Sequence, residues 1–258
     1  KKLREILPKH VRLLAEKIET EEEFQQALEY GYVLFQGYFF CKPAVLHQKR
    51  LTSNALSQIR LLKEVNRQDF DFSAIINVIS SDTNLVHKLL TYINSVGIGL
   101  TYHISNLRQA AVLLGSGGMR RWVTLISLQT FSEDKPPELF TISLLRAKFC
   151  ELIAHEIKRP DLTPDTGFLL GMFSLLDVLL SQPMEEVLKE VGLSSELNAA
   201  LLGEDNILRH VLDLVIAYEQ GDWDKVIACC RRENIPVEHL QPCYDEVLKW
   251  YNTLQTVR

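Results

Sequence analysis

A mainly α-helical bundle, preceded by a small α/β unit, is the fold that this sequence predicts. Two observations carry that reading. From about residue 51 onward, apolar residues recur at the helical period in segments separated by capping residues, glycines and prolines. The first fifty residues instead read as strand, helix, strand, and no convincing strand follows Lys42. The domain boundary is accordingly expected at residue 50, with 1–50 as one unit and 51–258 as the other.

In the first unit, Val11 to Leu14 is a short apolar run. Thr20 is placed to cap a helix through Phe24, Ala27 and Leu28 that ends at Gly31, and Tyr32 to Phe35 is a second β-rich run. Short links of this kind between strand, helix and strand imply parallel strands. In such units the chemistry gathers at the carboxyl ends of the strands, here Glu16, Glu19 and Gln36.

In the second unit the helices follow one another closely. Leu56, Ile59 and Leu62 mark the first, and Asp71 or Ser73 opens the helix of Ile75, Ile76 and Ile79. Asp82 or Ser81 caps the next, whose apolar face is Leu85, Val86, Leu89, Leu90 and Ile93. It stops at Asn94-Ser95, where Gly97 and Gly99 permit a turn. Ser105 is expected to cap a further helix carrying Leu107, Ala110, Ala111, Leu113 and Leu114, closed by Gly115. Ser116 begins the helix of Met119, Trp122, Val123 and Ile126. Asp134 to Pro137 is a break before a helix to Ile157, and Thr163-Pro164 opens a long apolar helix to Leu180. Pro183, Ser194, Asn206, Asp222 and Pro236 start the remaining segments. Asn94 and Ser95 admit two readings, a structural cap that bonds nearby backbone and a recognition surface. The cap is the simpler.

Ser81-Asp82, Leu85, Leu89-Leu90, Asn94-Ser95, Ile104-Ser105, Ala110 and Leu114-Gly115 together resemble the motif of the HDOD domain, a helical output domain of bacterial signalling proteins related to HD phosphohydrolases. The likeness runs from about Leu51 to Val257 and places Asp82, Leu90, Asn94, Ser95 and Gly115 in the motif. Thr83 stands where the family has Pro. The stretch from Leu14 to Thr20, with Gly31 and Phe35 to Pro43, resembles the last two strands of an EAL domain, a TIM-like barrel that hydrolyses cyclic di-GMP with divalent metals. That likeness implies Glu16 at the catalytic glutamate and Gln36 at the glutamine that closes the metal site. The other metal-binding carboxylates of such a barrel are absent from the sequence. An EAL domain followed by HDOD is a recurrent pairing in bacteria.

An HD phosphohydrolase needs an adjacent His-Asp pair and further His and Asp ligands converging on metal. This sequence has no His-Asp dipeptide, and by the family likeness Ser174 and Leu175 stand at that position. Loss of the metal site is the expectation. Of the seven histidines, His155 with Glu151 or Glu156 and His210 with Asp213 are the ligand pairs worth testing. Gly115 to Gly118, beside Arg120 and Arg121, reads either as an anion cradle or as a tight corner between helices. No P-loop, G-x-G-x-x-G or nucleophile elbow occurs, and no cofactor is expected.

The 258 residues are 47% hydrophobic and 24% charged, enough for a real core. A net charge of −5 argues against general nucleic-acid binding. The five cysteines form no C-x-x-C pair and read as reduced thiols of a cytoplasmic protein. No apolar run approaches a membrane span, and no signal peptide is visible. The chain opens without Met, straight into an amphipathic segment, as a piece of a longer protein would. The expected function is non-catalytic signalling through a protein partner, with homo-oligomerisation and an EAL domain in the same parent chain as further expectations. The rivals are a cyclic di-GMP phosphodiesterase in the intact parent and a metal phosphohydrolase with an unorthodox ligand set.

Overall fold

The computed structural model describes residues 8, 10–18, 20–35, 37, 52–67, 69, 71–94 and 103–256. The chain divides into two compact units, residues 1–46 and 47–258, a boundary a few residues before the expected one.

The first unit holds β1 (Leu14–Ala15), α1 (Glu21–Glu29) and β2 (Leu34–Phe35). The two strands pair in parallel, Leu14 opposite Leu34 and Ala15 opposite Phe35, as short links through a helix require. Thr20 caps α1 with a reciprocal capping box: its hydroxyl accepts from the Glu23 N–H, and Glu23 accepts from the Thr20 N–H. Ala15, Ile18 and Ala27 form a small core with Phe24, Tyr32 and Phe35, and the Phe24 and Phe35 rings meet edge to face at 4.8 Å. Gly37 lies so close to the Ile18 backbone that no side chain would fit there.

Every described element of the second unit is a helix. Its first three helices are α2 (Ser53–Asn66), α3 (Phe72–Ser80) and α4 (Thr83–Ile93). Thr52, Asp71 and Asp82 cap them through side-chain oxygens, so of the alternatives the sequence left open Asp71 and Asp82 are the caps. The next is α5 (Leu107–Phe131), capped by Asn106 and not by Ser105 as expected. The Asn106 amide oxygen reaches the Arg108 and Gln109 N–H groups at 2.8 and 3.2 Å, which places the cap one residue later. Gly115, at φ 65° and ψ −176°, breaks α5 into two helical pieces across a kink. A Cβ there would meet nothing within 4 Å, so the positive φ alone calls for glycine.

The centre of the unit is α6 (Pro137–Ile157) against α7 (Pro164–Phe173). Residues 167–173 are all buried, which is how a helix apolar on every side must be accommodated. Around them lie α8 (Leu176–Leu180), α9 (Met184–Val191), α10 (Ser195–Leu201), α11 (Ile207–Gln220), α12 (Trp223–Glu233) and, after a 3-10 turn at Val237–His239, α13 (Leu240–Thr256). The single helix expected from Pro164 to Leu180 is two. The Ser174 hydroxyl bonds back to the Gly171 carbonyl at 2.7 Å, and Leu175 leaves helical geometry at φ −122° and ψ 20°. Among the described residues no helix is long and apolar enough to cross a membrane.

Candidate functional site

In the motif stretch, Asp82 caps α4 and Gly115 breaks α5, so both residues shape the backbone. Leu90 is half-buried and Ser95 lies outside the described residues. Asn94 ends α4, and its side chain is spent on backbone. Nδ2 donates to the carbonyls of Leu90 and Ile104, and Oδ1 accepts from the Ile104 N–H, each at 2.7 Å. The amide thus pins residue 104 to the end of α4, closing a ten-residue excursion, and Ile104 itself is fully buried. Asn94→Ala strands a buried N–H and carbonyl, and is expected to cost about 2 kcal/mol. Urea melts of the variant check this; an unchanged midpoint would deny the clasp its role.

The glycine-rich corner at Gly115–Gly118 is a helix junction. Arg120 Nε donates to the Val65 carbonyl at 3.0 Å. Arg121 bonds Asp165 at 2.9 Å, pairs with Glu151, and lies 4.3 Å from the centroid of the Phe168 ring. Both guanidinium groups therefore tie helices together, and the Asp165 carboxylate at the corner, 3.3 Å from where a Cβ on Gly117 would lie, would repel an anion.

Ser174 and Leu175, which the family likeness sets at the His-Asp position, are half-buried and buried respectively. Leu175 is 4% exposed. Ser174 accepts at 3.0 Å from a guanidinium nitrogen of Arg146 on α6. Arg146 is itself 1% exposed and grips Glu219 of α11, with contacts from Nε at 3.1 and 3.2 Å and from a terminal nitrogen at 2.7 Å. This fork-on-carboxylate geometry is the strong form of the ion pair. Burial pushes the Asp177 carboxyl above its ordinary range, opposed in part by the backbone N–H groups of Val178 and Asp177 and less by the Arg146 charge. Burial likewise pushes the Cys150 thiol up, far from a reactive thiolate. The buried side of α6 runs Leu139, Ser143, Arg146, Cys150, Ile153. An arginine on that stripe was the available signal for this pair, and the sequence reading passed over it.

The two candidate ligand pairs, His155 with Glu151 or Glu156 and His210 with Asp213, are not brought together. His210 has one ring nitrogen 2.6 Å from Glu233 and the other 2.6 Å from Asp205, while Asp213 pairs with Arg209 at 2.9 Å. Glu156 bonds His239 at 2.8 Å, and His155 is exposed. Among the described residues no three His, Cys, Asp or Glu side chains are placed to hold a metal. In the first unit Glu16 is exposed, just past the carboxyl end of β1, and Glu19 and Gln36 lie outside the described residues.

The model of the HDOD domain matches residues 52–211. The chain is 35% identical over 249 residues to the uncharacterized protein YuxH of Bacillus subtilis, covering 95% of this chain and 60% of that one. It is 34% identical over 240 residues to the cyclic di-GMP phosphodiesterase CdgJ of Vibrio cholerae, covering 93% and 55%. The chain thus spans little more than half the length of these relatives. A crystal structure of a Marinobacter aquaeolei VT8 protein, described as a signal transduction protein, superposes with a TM-score of 0.55 at 12% identity. The match covers 91% of this chain and 71% of that one, a likeness of fold.

Proposed function

The chain belongs to the HDOD family, and from that premise we propose that it is a non-catalytic signalling module of the cytoplasm that acts by binding another protein. The observation that carries this reading is the Arg146–Glu219–Ser174 cluster at the position of the His-Asp pair. A metal there would face a fixed positive charge, and Leu175 offers it no ligand.

The same reading ties the module to cyclic di-GMP through an EAL-like domain of the parent chain, of which the β1–α1–β2 unit is the carboxyl end. The parallel pairing of β1 and β2 supports it, as does Glu16 at a strand's carboxyl end. Leu14 and Leu34 are paired in register yet half-exposed, and cover from further strands or from a second copy of the chain would bury them. A barrel of this kind closes with about eight strands, so two strands do not build its metal site. A second reading, that the intact parent is itself a cyclic di-GMP phosphodiesterase, is favoured by the name of the Vibrio relative.

The experiment is to incubate the chain with cyclic di-GMP and Mg²⁺ or Mn²⁺ and to measure its bound metals. The expected result is no linear dinucleotide and no stoichiometric metal. Turnover abolished by Glu16→Ala, or tightly bound iron, manganese or zinc lost with His155 and His210, would overturn the reading.

A further inference from the structure

We propose that the exposed indole of Trp223, backed by the half-buried rings of Tyr218 and Tyr244, docks an arginine-bearing segment of a protein partner. This rests on the reading of the chain as a protein-binding module and names the surface that would serve it.

The patch forms where the end of α11, the start of α12 and the side of α13 meet. Trp223 is 57% exposed, whereas the indole of Trp122 is fully buried. The exposed indole is not loose. Tyr218 meets it edge to face at 5.5 Å and 84°, and Tyr218 in turn packs at 5.3 Å on Tyr244 and at 5.2 Å on the buried Phe149. Trp223 is therefore a platform held from below, with its ring turned to solvent at little further entropic cost to a ligand.

An aromatic platform alone would accept a nucleic-acid base as readily as a cation. The charge around this one decides between them. Asp222 and Asp224 are the chain neighbours of Trp223 at the amino end of α12, and Asp245 on α13 lies near enough to Tyr218 for its charge to act on that ring's hydroxyl. Burial and the Asp245 carboxylate push the Tyr218 hydroxyl up; burial and Glu219 do the same at Tyr244. Among the described residues, neither Asp224 nor Asp245 forms an ion pair. The Asp222 carboxylate accepts the Lys225 N–H at 3.1 Å, so it caps α12. The amino end of α12 contributes about half a positive charge, which the carboxylates of Asp222 and Asp224 outweigh. A phosphate backbone is repelled by such a field, and a cation is drawn to it.

Arginine fits better than lysine. Its planar guanidinium stacks on an indole while its edge N–H groups reach a carboxylate, and it sheds water more easily than an ammonium. The fold already uses that chemistry, with the Arg121 guanidinium lying over the Phe168 ring while bonded to Asp165.

The test follows the indole and amide signals of the full chain by NMR, titrated at millimolar concentration with acetyl-Gly-Arg-Gly-Arg-Gly-amide and with its lysine and glutamate counterparts. The arginine peptide is expected to shift the Trp223 indole N–H and the amides of residues 222–225, the lysine peptide less, and the glutamate peptide not at all. Trp223→Leu should abolish the amide shifts. Asp245→Asn, an exposed change that keeps the platform, should weaken binding about fivefold, the scale of one surface cation–π or ion contact. No shift, an equal shift from the glutamate peptide or from a mononucleotide, or an unchanged affinity in Asp245→Asn would overturn the proposal. Cyclic di-GMP turnover would overturn the wider reading and leave these titrations as they are, so the two failures are distinguishable.

Discussion

Gly171→Ala is expected to cost about 3 kcal/mol or more, among the largest effects a single methyl group can have. A Cβ at Gly171 would lie 2.5 Å from the Cα and the nitrogen of Ala147 and from the Arg146 carbonyl oxygen. All three are backbone or its direct extension, so no side-chain rotation relieves the clash, and α6 and α7 must move apart. Gly167, one turn earlier, is in the same position, 2.6 Å from the Cys150 carbonyl oxygen. Parting these helices loosens Phe168 and Phe173, both fully buried. For a unit of this size a loss of 3 kcal/mol lowers the melting temperature by about 6 to 12 °C. Gly115→Ala is the comparison, since it meets no atom and only the strain of a backbone at φ 65° and ψ −176°, and should cost less, about 1 to 3 kcal/mol. Melting curves of the two variants check the ranking. Equal losses would show that the α6–α7 contact yields more easily than its geometry implies.

The helices were legible because their ends carry physical signals that act locally. Thr20, Asp82, Ser194, Asn206 and Asp222 each accept a backbone N–H as caps, and Gly221 ends α11 in the left-handed region. Where a cap was misplaced, at Ser105, two adjacent residues could both serve, and Asn106 had the better reach. The break after Ser174 was not legible, because Gly171 to Leu180 is apolar enough to read as one helix. What divides it is a hydroxyl turned onto its own backbone and onto a guanidinium from another helix. That guanidinium explains the larger omission. Asn94 makes its bonds within ten residues, so its role could be argued from sequence, whereas Arg146 and Glu219 are 73 residues apart. A charged residue on a core stripe reveals that a partner must exist and leaves open which residue it is.

The Arg146–Glu219 pair sets up the second large effect, and it is asymmetric. Arg146 is 1% exposed and Glu219 about 20%. Removing the carboxylate leaves a guanidinium uncompensated in the core, so Glu219→Leu is expected to cost about 3 to 5 kcal/mol. Removing the guanidinium leaves a carboxylate that still touches water, and Arg146→Met, which keeps most of the volume, should cost about 1 to 3 kcal/mol less than that. Replacing both charges by apolar groups removes the desolvation penalty along with the attraction. The double variant should therefore be more stable than Glu219→Leu alone, and close to the parent chain if Met and Leu pack well. Ser174 would then lose its guanidinium donor but keep the Gly171 carbonyl, so its hydroxyl remains bonded. Denaturant midpoints of the three variants complete the cycle. Additive losses with the two single changes equal would mean that the pair is solvated far more than its burial indicates.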